Sequence, residues 1–224
     1  MAFRKKCEII SQYNADILII QECENPNVIK YPEEFINIMP YFLWEGDNNN
    51  KGLGIFSKIP IEKNLWTTNN NKYFISCKVG SEFNLVGVWC MKNKVSKLSY
   101  MGQFYNYFIN NYDEIVKSKI LISGDFNSFK NYTSEKQLYN HMNVIKKLED
   151  NKIKSIYHEY FKLEQGNERD STTYNTKRID KGYHVDYIFG SRIINSKVKY
   201  MEVGKFDEWI QKSDHMPLII EFDL

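Results

Sequence analysis

The segments Gly124-Asp-Phe-Asn-Ser128 and Ser213-Asp-His-Met-Pro-Leu218 each place acidic, amide or imidazole side chains beside a predicted apolar strand. The strand Lys119-Ile-Leu-Ile-Ser123 leads into the first segment, and a strand from Pro217 to Phe222 follows the second. Side chains at strand ends can meet from distant parts of a sequence, because the sheet holds those ends in fixed places. We therefore expect the two segments to contribute to one site.

Glu22 and Asp186 occupy similar positions in the sequence. Gln21-Glu22 follows the apolar strand Asp16-Ile-Leu-Ile-Ile20, and Asp186 lies within a strand that runs from His184 to Gly190. A carboxylate within an apolar strand is costly without a partner, so Asp186 predicts one. Carboxylates, an amide and an imidazole at one edge suit proton transfer and the binding of a hard cation such as Mg²⁺.

Each of these residues also has a structural interpretation when it is taken alone. Glu22 can be a solvated loop acid, Asp125 and Asn127 can form an Asx turn, and His215 can be a turn histidine. For His184 we predict the surface of a strand, with a second catalytic imidazole as the alternative. The two remaining histidines are predicted to lie on helix surfaces; they are His141 and His158.

Taken together, the segments resemble the endonuclease/exonuclease/phosphatase family. This family includes DNase-I-like and abasic-site endonucleases, sphingomyelinases and inositol-polyphosphate phosphatases. The resemblance covers nearly the whole chain in order, and its most specific elements are Gly-Asp-Phe-Asn and Ser-Asp-His-x-Pro. The matching segments are Ala15-Asp-Ile-Leu-Ile-Ile-Gln-Glu22, Gly52-Leu-Gly-Ile-Phe-Ser57, Gly124-Asp-Phe-Asn-Ser128, His184-Val-Asp-Tyr-Ile-Phe189 and Ser213-Asp-His-Met-Pro-Leu218.

The resemblance implies a catalytic role for four residues. Asp125 would position and activate the attacking water, and Asn127 would hydrogen-bond the scissile phosphate. His215, oriented by Asp186, would contact a phosphate oxygen or act as a base. A carboxylate behind an imidazole fixes its tautomer, and phosphoryl chemistry depends mostly on positioning and charge stabilisation.

The resemblance also implies a metal site and a substrate side. Glu22 would bind Mg²⁺, with Mn²⁺ as an alternative, and Asp214 would lie near the same ion. Thr173 and Tyr174, with Thr172 before them, lie in a region that lines the substrate side in family members. A loop with three lysines, Lys92, Lys94 and Lys97, either contacts a polyanion or carries solvated charge.

The sequence departs from the family pattern in two places. The family normally begins with a strand that bears a Trp-Asn-x-Asn-Gly-like sequence, whereas here Met1-Ala-Phe-Arg-Lys-Lys6 already resembles the helix that follows it. We expect a late start codon or a truncation, which would leave the next strand with unpaired backbone groups. Trp89 lies where the family usually has His or Tyr, and its ring N–H can only donate a hydrogen bond.

Composition argues against a sequence-specific DNA-binding protein and against a membrane-spanning or secreted one. The chain has 224 residues and a net charge of 30 − 28 = +2, and only four of its basic residues are arginine, so sequence-specific base reading is not expected. The lysine and asparagine bias is typical of an A/T-rich genome. No signal peptide or apolar stretch of membrane-spanning length occurs, so we expect a cytoplasmic monomer whose four cysteines are free thiols.

The predicted fold is α/β: a four-layer sandwich of two mixed β-sheets packed face to face, with helices on both outer faces. We expect residues 1–224 to form one domain. Ser134 and Gln137 resemble a capping box, and Gly80-Ser81 predicts a hairpin. Predicted helices cover residues 3–13, 27–39 with an interruption at Pro32, 99–112, 134–149 and 154–162. Predicted strands cover residues 16–20, 52–57, 72–79, 83–90, 119–123, 184–190, 196–203 and 217–222.

The function predicted from these residues is Mg²⁺-dependent hydrolysis of a phosphate ester, most readily a phosphodiester in DNA or RNA. Two alternatives remain open. The first is a phosphatase of a small phosphorylated molecule or a lipid headgroup. The second is a non-catalytic binding protein that kept the fold and lost activity together with the first strand.

Overall fold

The computed structural model describes residues 2–92, 98–132 and 139–223. The strands are β1 (Ile17–Cys23), β2 (Tyr41–Asn48), β3 (Lys51–Ser57), β4 (Ile61–Lys63), β5 (Phe74–Val79), β6 (Phe83–Trp89), β7 (Ile120–Asp125), β8 (Ile153–Ser155), β9 (Thr173–Tyr174), β10 (Gly182–Tyr183), β11 (Asp186–Ser191), β12 (Val198–Val203) and β13 (Leu218–Phe222). The helices are α1 (Cys7–Ser11), α2 (Glu33–Ile38), α3 (Met101–Asn110), α4 (Tyr112–Val116), α5 (His141–Asp150), α6 (Ile156–Phe161), α7 (Arg192–Asn195) and α8 (Phe206–Trp209). None of these helices is long and apolar enough to cross a bilayer.

The larger layer is a six-stranded mixed sheet in the order β4-β5-β6-β7-β11-β8. Its strands are antiparallel except for β6 and β7, which are parallel. At the end of this parallel pair Trp89 lies beside Asp125, and on the other side of β7 Asp125 pairs with Asp186 of β11. The sheet therefore brings residues that are 61 positions apart in the sequence to neighbouring places.

The facing layer consists of two antiparallel sheets, β1-β3-β2 and β12-β13. Apolar side chains of both layers meet in one core, to which β3 contributes Leu53 and Ile55 and β6 contributes Leu85. Each fully buried side chain of this kind stabilises the fold by about 1.5–3 kcal/mol. Where two mixed sheets were predicted, the described residues form one mixed sheet and a facing antiparallel layer in two parts. A separate two-stranded antiparallel sheet pairs β9 with β10.

Helices cover the outer faces of both layers. Phe104 and Phe108 of α3 and Val144 of α5 pack on the six-stranded sheet. On the opposite side of the molecule, Phe35 of α2 and Trp209 of α8 lie in the cluster that covers the facing layer. The four-layer α/β arrangement predicted from the sequence is confirmed.

Most predicted elements are present with shorter bounds. The helix predicted over 27–39 is reduced to α2, because Pro32 occupies its N-cap position and the chain turns at Pro40 into a strand that we did not predict, β2. The predicted capping box of Ser134 and Gln137 lies outside the described residues. In the described part, α5 begins at His141, and the Asn140 side chain accepts a hydrogen bond from the backbone N–H of Asn143 at 2.8 Å.

β1 lies at the edge of its sheet, at the position where the sequence predicts that a strand is lost. Within the described residues β1 pairs only with β3, and β13 pairs only with β12. Both β1 and β13 are therefore edge strands in the part of the chain that the structure describes, and the loss of a strand beside them stays a prediction.

Left-handed backbone is frequent at residues other than glycine. In the described residues, eleven non-glycine residues have positive φ, and the four asparagines among them are Asn14, Asn69, Asn70 and Asn127. Asparagine tolerates this conformation better than most residues, because its short side chain can hydrogen-bond locally. Only three glycines of the described part have positive φ.

Gly124 is required by close packing as well as by its dihedral angle. Its φ is +148°, and a Cβ atom at this position would lie 1.9 Å from the carbonyl oxygen of Val88 on β6. No L side chain fits between the two strands at this point, so glycine allows β7 to approach β6 just before Asp125.

We predict that Gly124→Ala destabilises the protein by about 3 kcal/mol or more, because backbone strain and a backbone clash add together. Gly80→Ala is the matched control: its φ is +51°, but the nearest atom would be 3.6 Å from the added Cβ. That change should cost about 1 kcal/mol. Urea unfolding measures both values, and equal losses would contradict the packing argument.

Candidate active site

Three side chains from three elements form the centre of the site. The ligand atoms of Asp125, Asp186 and His215 lie within 4.8 Å of one another. Asp125 ends β7, Asp186 begins β11, and His215 lies in the loop that leads into β13. The Nδ1 atom of His215 lies 2.9 Å from Asp186 Oδ2, so Asp186 has the partner that its position in an apolar strand predicts.

Asn127 holds Asp125 in place. The backbone N–H of Asn127 donates to Asp125 Oδ1 at 2.8 Å, and its side-chain amide donates to Asp125 Oδ2 at 2.7 Å. The same amide donates to the Cys90 carbonyl oxygen at 2.9 Å. Both amide hydrogens are thus used within the protein, and a phosphate contact by Asn127 would need one of these bonds to open.

Burial and mutual charge perturb the titration of the centre. Burial, together with the charge of Asp186, raises the pKa of Asp125 to about 8. Burial alone would lower the pKa of His215, but the charge of Asp186 and the hydrogen bond to it raise that pKa to about 10. The imidazolium therefore offsets one carboxylate, and a second negative charge beside it is unfavourable without a further cation.

Glu22 lies at a distortion of β1 near this centre. The register shifts between Gln21 and Cys23, and Glu22 has a φ of +59°. Its side chain is 61% exposed, and its Oε1 lies 2.8 Å from Lys51 Nζ. The sequence analysis did not identify Lys51, because a contact between β1 and β3 depends on strand register rather than on spacing along the chain.

A second cation that the sequence analysis missed comes from the N-terminal helix. Lys6 lies among Glu22, Asp214 and Glu24, and burial lowers its pKa while these carboxylates oppose the shift. An ion pair between Arg4 and the buried Glu24 anchors the segment before α1. This segment thus holds Lys6 at the acidic edge.

The segment 172–174 joins the strand and loop that carry the centre. Thr173 forms a β-bridge with His215, and the backbone N–H of Tyr174 donates to the Asp214 carbonyl oxygen at 2.8 Å. The hydroxyl oxygen of the buried Thr172 accepts the backbone N–H groups of Val185 and Asp186, each at 3.0 Å. This segment therefore positions both Asp186 and His215, whereas the exposed side chain of Asp214 faces solvent.

Trp89 is buried beside the centre. It is the register partner of Asp125, its ring lies 4.8 Å from that of Tyr73, and Lys51 Nζ lies 5.2 Å from its centroid. The position of the predicted departure thus holds an aromatic ring with a lysine above it. Lys92 is exposed, whereas Lys94 and Lys97 of the same predicted loop lie outside the described residues.

The predicted positions of the other three histidines were wrong. His141, His158 and His184 are buried, and the rings of His158 and His184 lie 6.1 Å apart. Gln165 lies 3.2 Å from His141 and 3.3 Å from His158, and His158 is also 3.1 Å from Glu168. Long-range partners make these residues interior, and helical or strand periodicity does not reveal such partners.

The acidic edge fits a divalent cation in its chemistry. Carboxylate oxygen is the ligand type that Mg²⁺ prefers. Burial, and after it the charge of Asp186, raises the pKa of Asp125, and a bound cation would favour its charged form. The carboxylates at this edge are Glu22, Asp125, Asp186 and Asp214, and the cationic groups near them are Lys6, Lys51 and His215.

The sequence profile of the endonuclease/exonuclease/phosphatase family matches residues 7–215. The chain belongs to this family. Membership of this family makes the chain a phosphoesterase of the nuclease and phosphatase type. No match was found among curated protein sequences.

Solved structures share the fold over nearly the whole chain. An AP endonuclease from Archaeoglobus fulgidus has a TM-score of 0.73 and 19% identity, with 97% of this chain and 93% of that chain covered. The 3′ phosphatase NExo from Neisseria, bound to a product DNA hairpin, has a TM-score of 0.69 and 19% identity, with 98% and 94% covered. The endonuclease domain of TRAS1, a telomere-specific non-LTR retrotransposon, has a TM-score of 0.64 and 14% identity, with 99% of this chain and 92% of that chain covered.

We predict that, in EDTA, the free energy of unfolding falls as pH rises from 5 to 6.5, partly because of Asp125. Its pKa is about 8 in the folded protein and about 3.9 unfolded, so only the folded state keeps this proton in that range. The stability contribution is present below pH 4 and is lost as pH rises toward 8, at about 1.4 kcal/mol per pH unit.

Asp125→Asn should remove this contribution, so its unfolding free energy should decline less steeply with pH by about 2 kcal/mol over the same range. The exposed Asp207→Asn is the matched control and should keep the wild-type slope. Denaturant unfolding at four pH values measures all three proteins. Identical slopes in wild type and Asp125→Asn would show that the buried carboxylate is not protonated.

Proposed function

We propose that this chain is a Mg²⁺-dependent phosphoesterase that hydrolyses phosphodiester bonds in DNA or RNA. The observation that carries the proposal is the meeting of Asp125, Asp186 and His215 at one strand edge, with ligand atoms within 4.8 Å. This is the arrangement expected of a group that takes a proton beside a group that stabilises negative charge.

In the proposed reaction, Asp125 accepts a hydrogen bond from the attacking water and takes its proton. Its raised pKa makes the deprotonated carboxylate a stronger base than an exposed one, and a bound cation would favour that deprotonated form. The new P–O bond forms from the water oxygen, the bond to the leaving oxygen breaks, and that oxygen takes a proton from water at the open edge. The products are a phosphomonoester and an alcohol.

His215 stabilises the charge that develops on the phosphate. Its Nδ1–H donates to Asp186, which fixes the ring and leaves Nε2 to donate to a non-bridging oxygen. Asn127 holds the carboxylate of Asp125 in the orientation that the water requires.

Glu22 and Asp214 are the residues that would hold the divalent cation. A bound Mg²⁺ supplies charge neutralisation at the phosphate and lowers the pKa of water. Lys51 contacts Glu22 and Lys6 lies near both carboxylates, so each lysine offsets the charge of these carboxylates when no ion is bound.

The open edge supports a polymer as substrate. The side chain of Glu22 is 61% exposed, that of His215 is 36% exposed, and Asp214 is also exposed. A long chain can lie across such an edge, whereas a small phosphorylated molecule is usually enclosed by its pocket. The DNA-bound NExo structure, which shares the fold, further supports nucleic acid.

We predict cleavage of labelled oligonucleotides or plasmid with Mg²⁺ and none with EDTA. Asp125→Ala should lower the rate at least about 1,000-fold, because it removes both the base and a group that orients the water. The exposed Asp207→Ala, purified identically, is the control for a contaminating nuclease. Cleavage that persists in Asp125→Ala, or in EDTA, would contradict the proposed mechanism.

Asp186→Asn should lower kcat/KM by about 100-fold or more, because His215 loses the charge that holds its proton and ring. The pKa of His215 should fall from about 10 toward the ordinary value near 6.5. NMR titration of the His215 ring and a pH profile of activity measure these changes. An unchanged pKa of His215 in Asp186→Asn would contradict the proposal that Asp186 holds the proton of that ring.

A further inference from the structure

A row of aromatic rings begins beside the proposed site. Phe129 lies 5.1 Å from Tyr183 in a stacked arrangement, and it lies 5.5 Å from Tyr132. Tyr132 in turn lies 5.5 Å from Tyr100 in an edge-to-face arrangement. Tyr183 and Tyr132 are 42% and 45% exposed, so both present ring surface to solvent.

Two connections attach this row to the catalytic centre. Phe129 follows Asn127, the residue that holds Asp125, by two positions. Tyr183 pairs with Thr173 across β9 and β10, and Thr173 forms a bridge with His215. Chain connection at Asn127 and strand pairing at Thr173 therefore link the row to residues of the centre.

The chain beside the row is basic. Residues 175–183 carry three basic side chains and one acidic one, which gives this segment a net charge of +2. Arg178 pairs with Asp180. Lys177 and Lys181 are exposed and have no ion pair among the described residues. A polyanion that lies on the rings would thus meet two available ammonium groups.

We propose that the row of Tyr183, Phe129, Tyr132 and Tyr100 stacks the unpaired bases of a single-stranded nucleic acid next to the scissile phosphate. The inference rests on the proposed phosphoesterase function and names its substrate class. Aromatic rings beside positive charge are the combination that binds single strands without regard to sequence, because every base has a π face.

The exposed ring surface favours single strands over duplexes. In a duplex the base faces are covered by their neighbours, so the exposed rings gain nothing from them unless bases are unstacked at a cost. The four arginines of the chain, two of which are Arg4 and Arg178 in ion pairs, also leave few groups for reading base edges in a groove.

The test measures binding apart from hydrolysis. Fluorescence anisotropy in EDTA compares a labelled 12-nucleotide single strand, as DNA and as RNA, with the duplex of the same sequence. Tyr183→Ala and Tyr132→Ala are each expected to weaken single-strand binding about 5- to 100-fold and duplex binding less than twofold. Tyr183→Trp should retain binding, and Tyr200→Ala, which removes an equally exposed ring on β12, is the matched control.

A second measurement changes the nucleic acid instead of the protein. A single strand with abasic spacers at the positions next to the scissile phosphate should bind wild type about 5- to 100-fold more weakly, and should not weaken Tyr183→Ala further. In a Tyr183→Ala variant that still binds the unmodified strand measurably, this non-additivity identifies a contact between ring and base.

The outcomes separate this inference from the proposed function. If oligonucleotides are cleaved but Tyr183→Ala and Tyr132→Ala bind single strands as Tyr200→Ala does, the stacking row is refuted and the phosphoesterase stands. If duplex binding weakens equally, the row is refuted as well. If nothing is hydrolysed but base-dependent, ring-dependent binding is found, the row stands and the proposed catalysis fails.

Discussion

The antiparallel pairing of Asp125 with Asp186 is the constraint on which the rest of the site depends. Register places two carboxylates side by side at the buried end of a sheet, where like charges are costly. The surrounding contacts offset that cost: His215 supplies positive charge to Asp186, and Asn127 donates twice to Asp125. The backbone must also bring β7 close to β6, which is why a glycine precedes Asp125. The site is thus an electrostatically strained point on a well-packed sheet, and a cation is its natural complement.

Several features of the sequence were sufficient to predict the fold and the centre. The apolar strands with polar ends located Asp125, and Asp186 could be given a partner because a lone carboxylate in an apolar strand is unfavourable. The family resemblance supplied His215 as that partner. The structural roles of three neighbouring groups were beyond prediction for a shared physical reason. Lys51, Lys6 and Thr172 act through strand register, helix anchoring and a side-chain hydrogen bond to backbone, and none of these follows from local spacing.

The burial of His141 and His158 also depends on contacts between elements that are distant in the sequence. His141 and His158 lie on helices, and a polar residue on a helix is ordinarily a surface residue. Their interior position depends on Gln165, which comes from a loop and contacts both rings. Burial lowers the pKa of His141 to about 4, so this ring is neutral at physiological pH and functions as a hydrogen-bonding group of the core. Sequence periodicity describes one element at a time, whereas this cluster exists only after several elements have packed.

The asparagines with left-handed backbone connect the structure to the composition of the gene. Turns that many proteins build with glycine are built here, at Asn14, Asn69 and Asn70, with a residue that tolerates positive φ. Glycine codons begin with two guanines and asparagine codons with two adenines, so a genome rich in A and T would favour asparagine at such turns, at a modest energetic cost. Gly124 cannot be replaced by asparagine in this way, because the carbonyl of Val88 leaves no room for any side chain. Nucleotide bias can therefore reshape the loops of this protein, but it cannot alter the strand that carries Asp125.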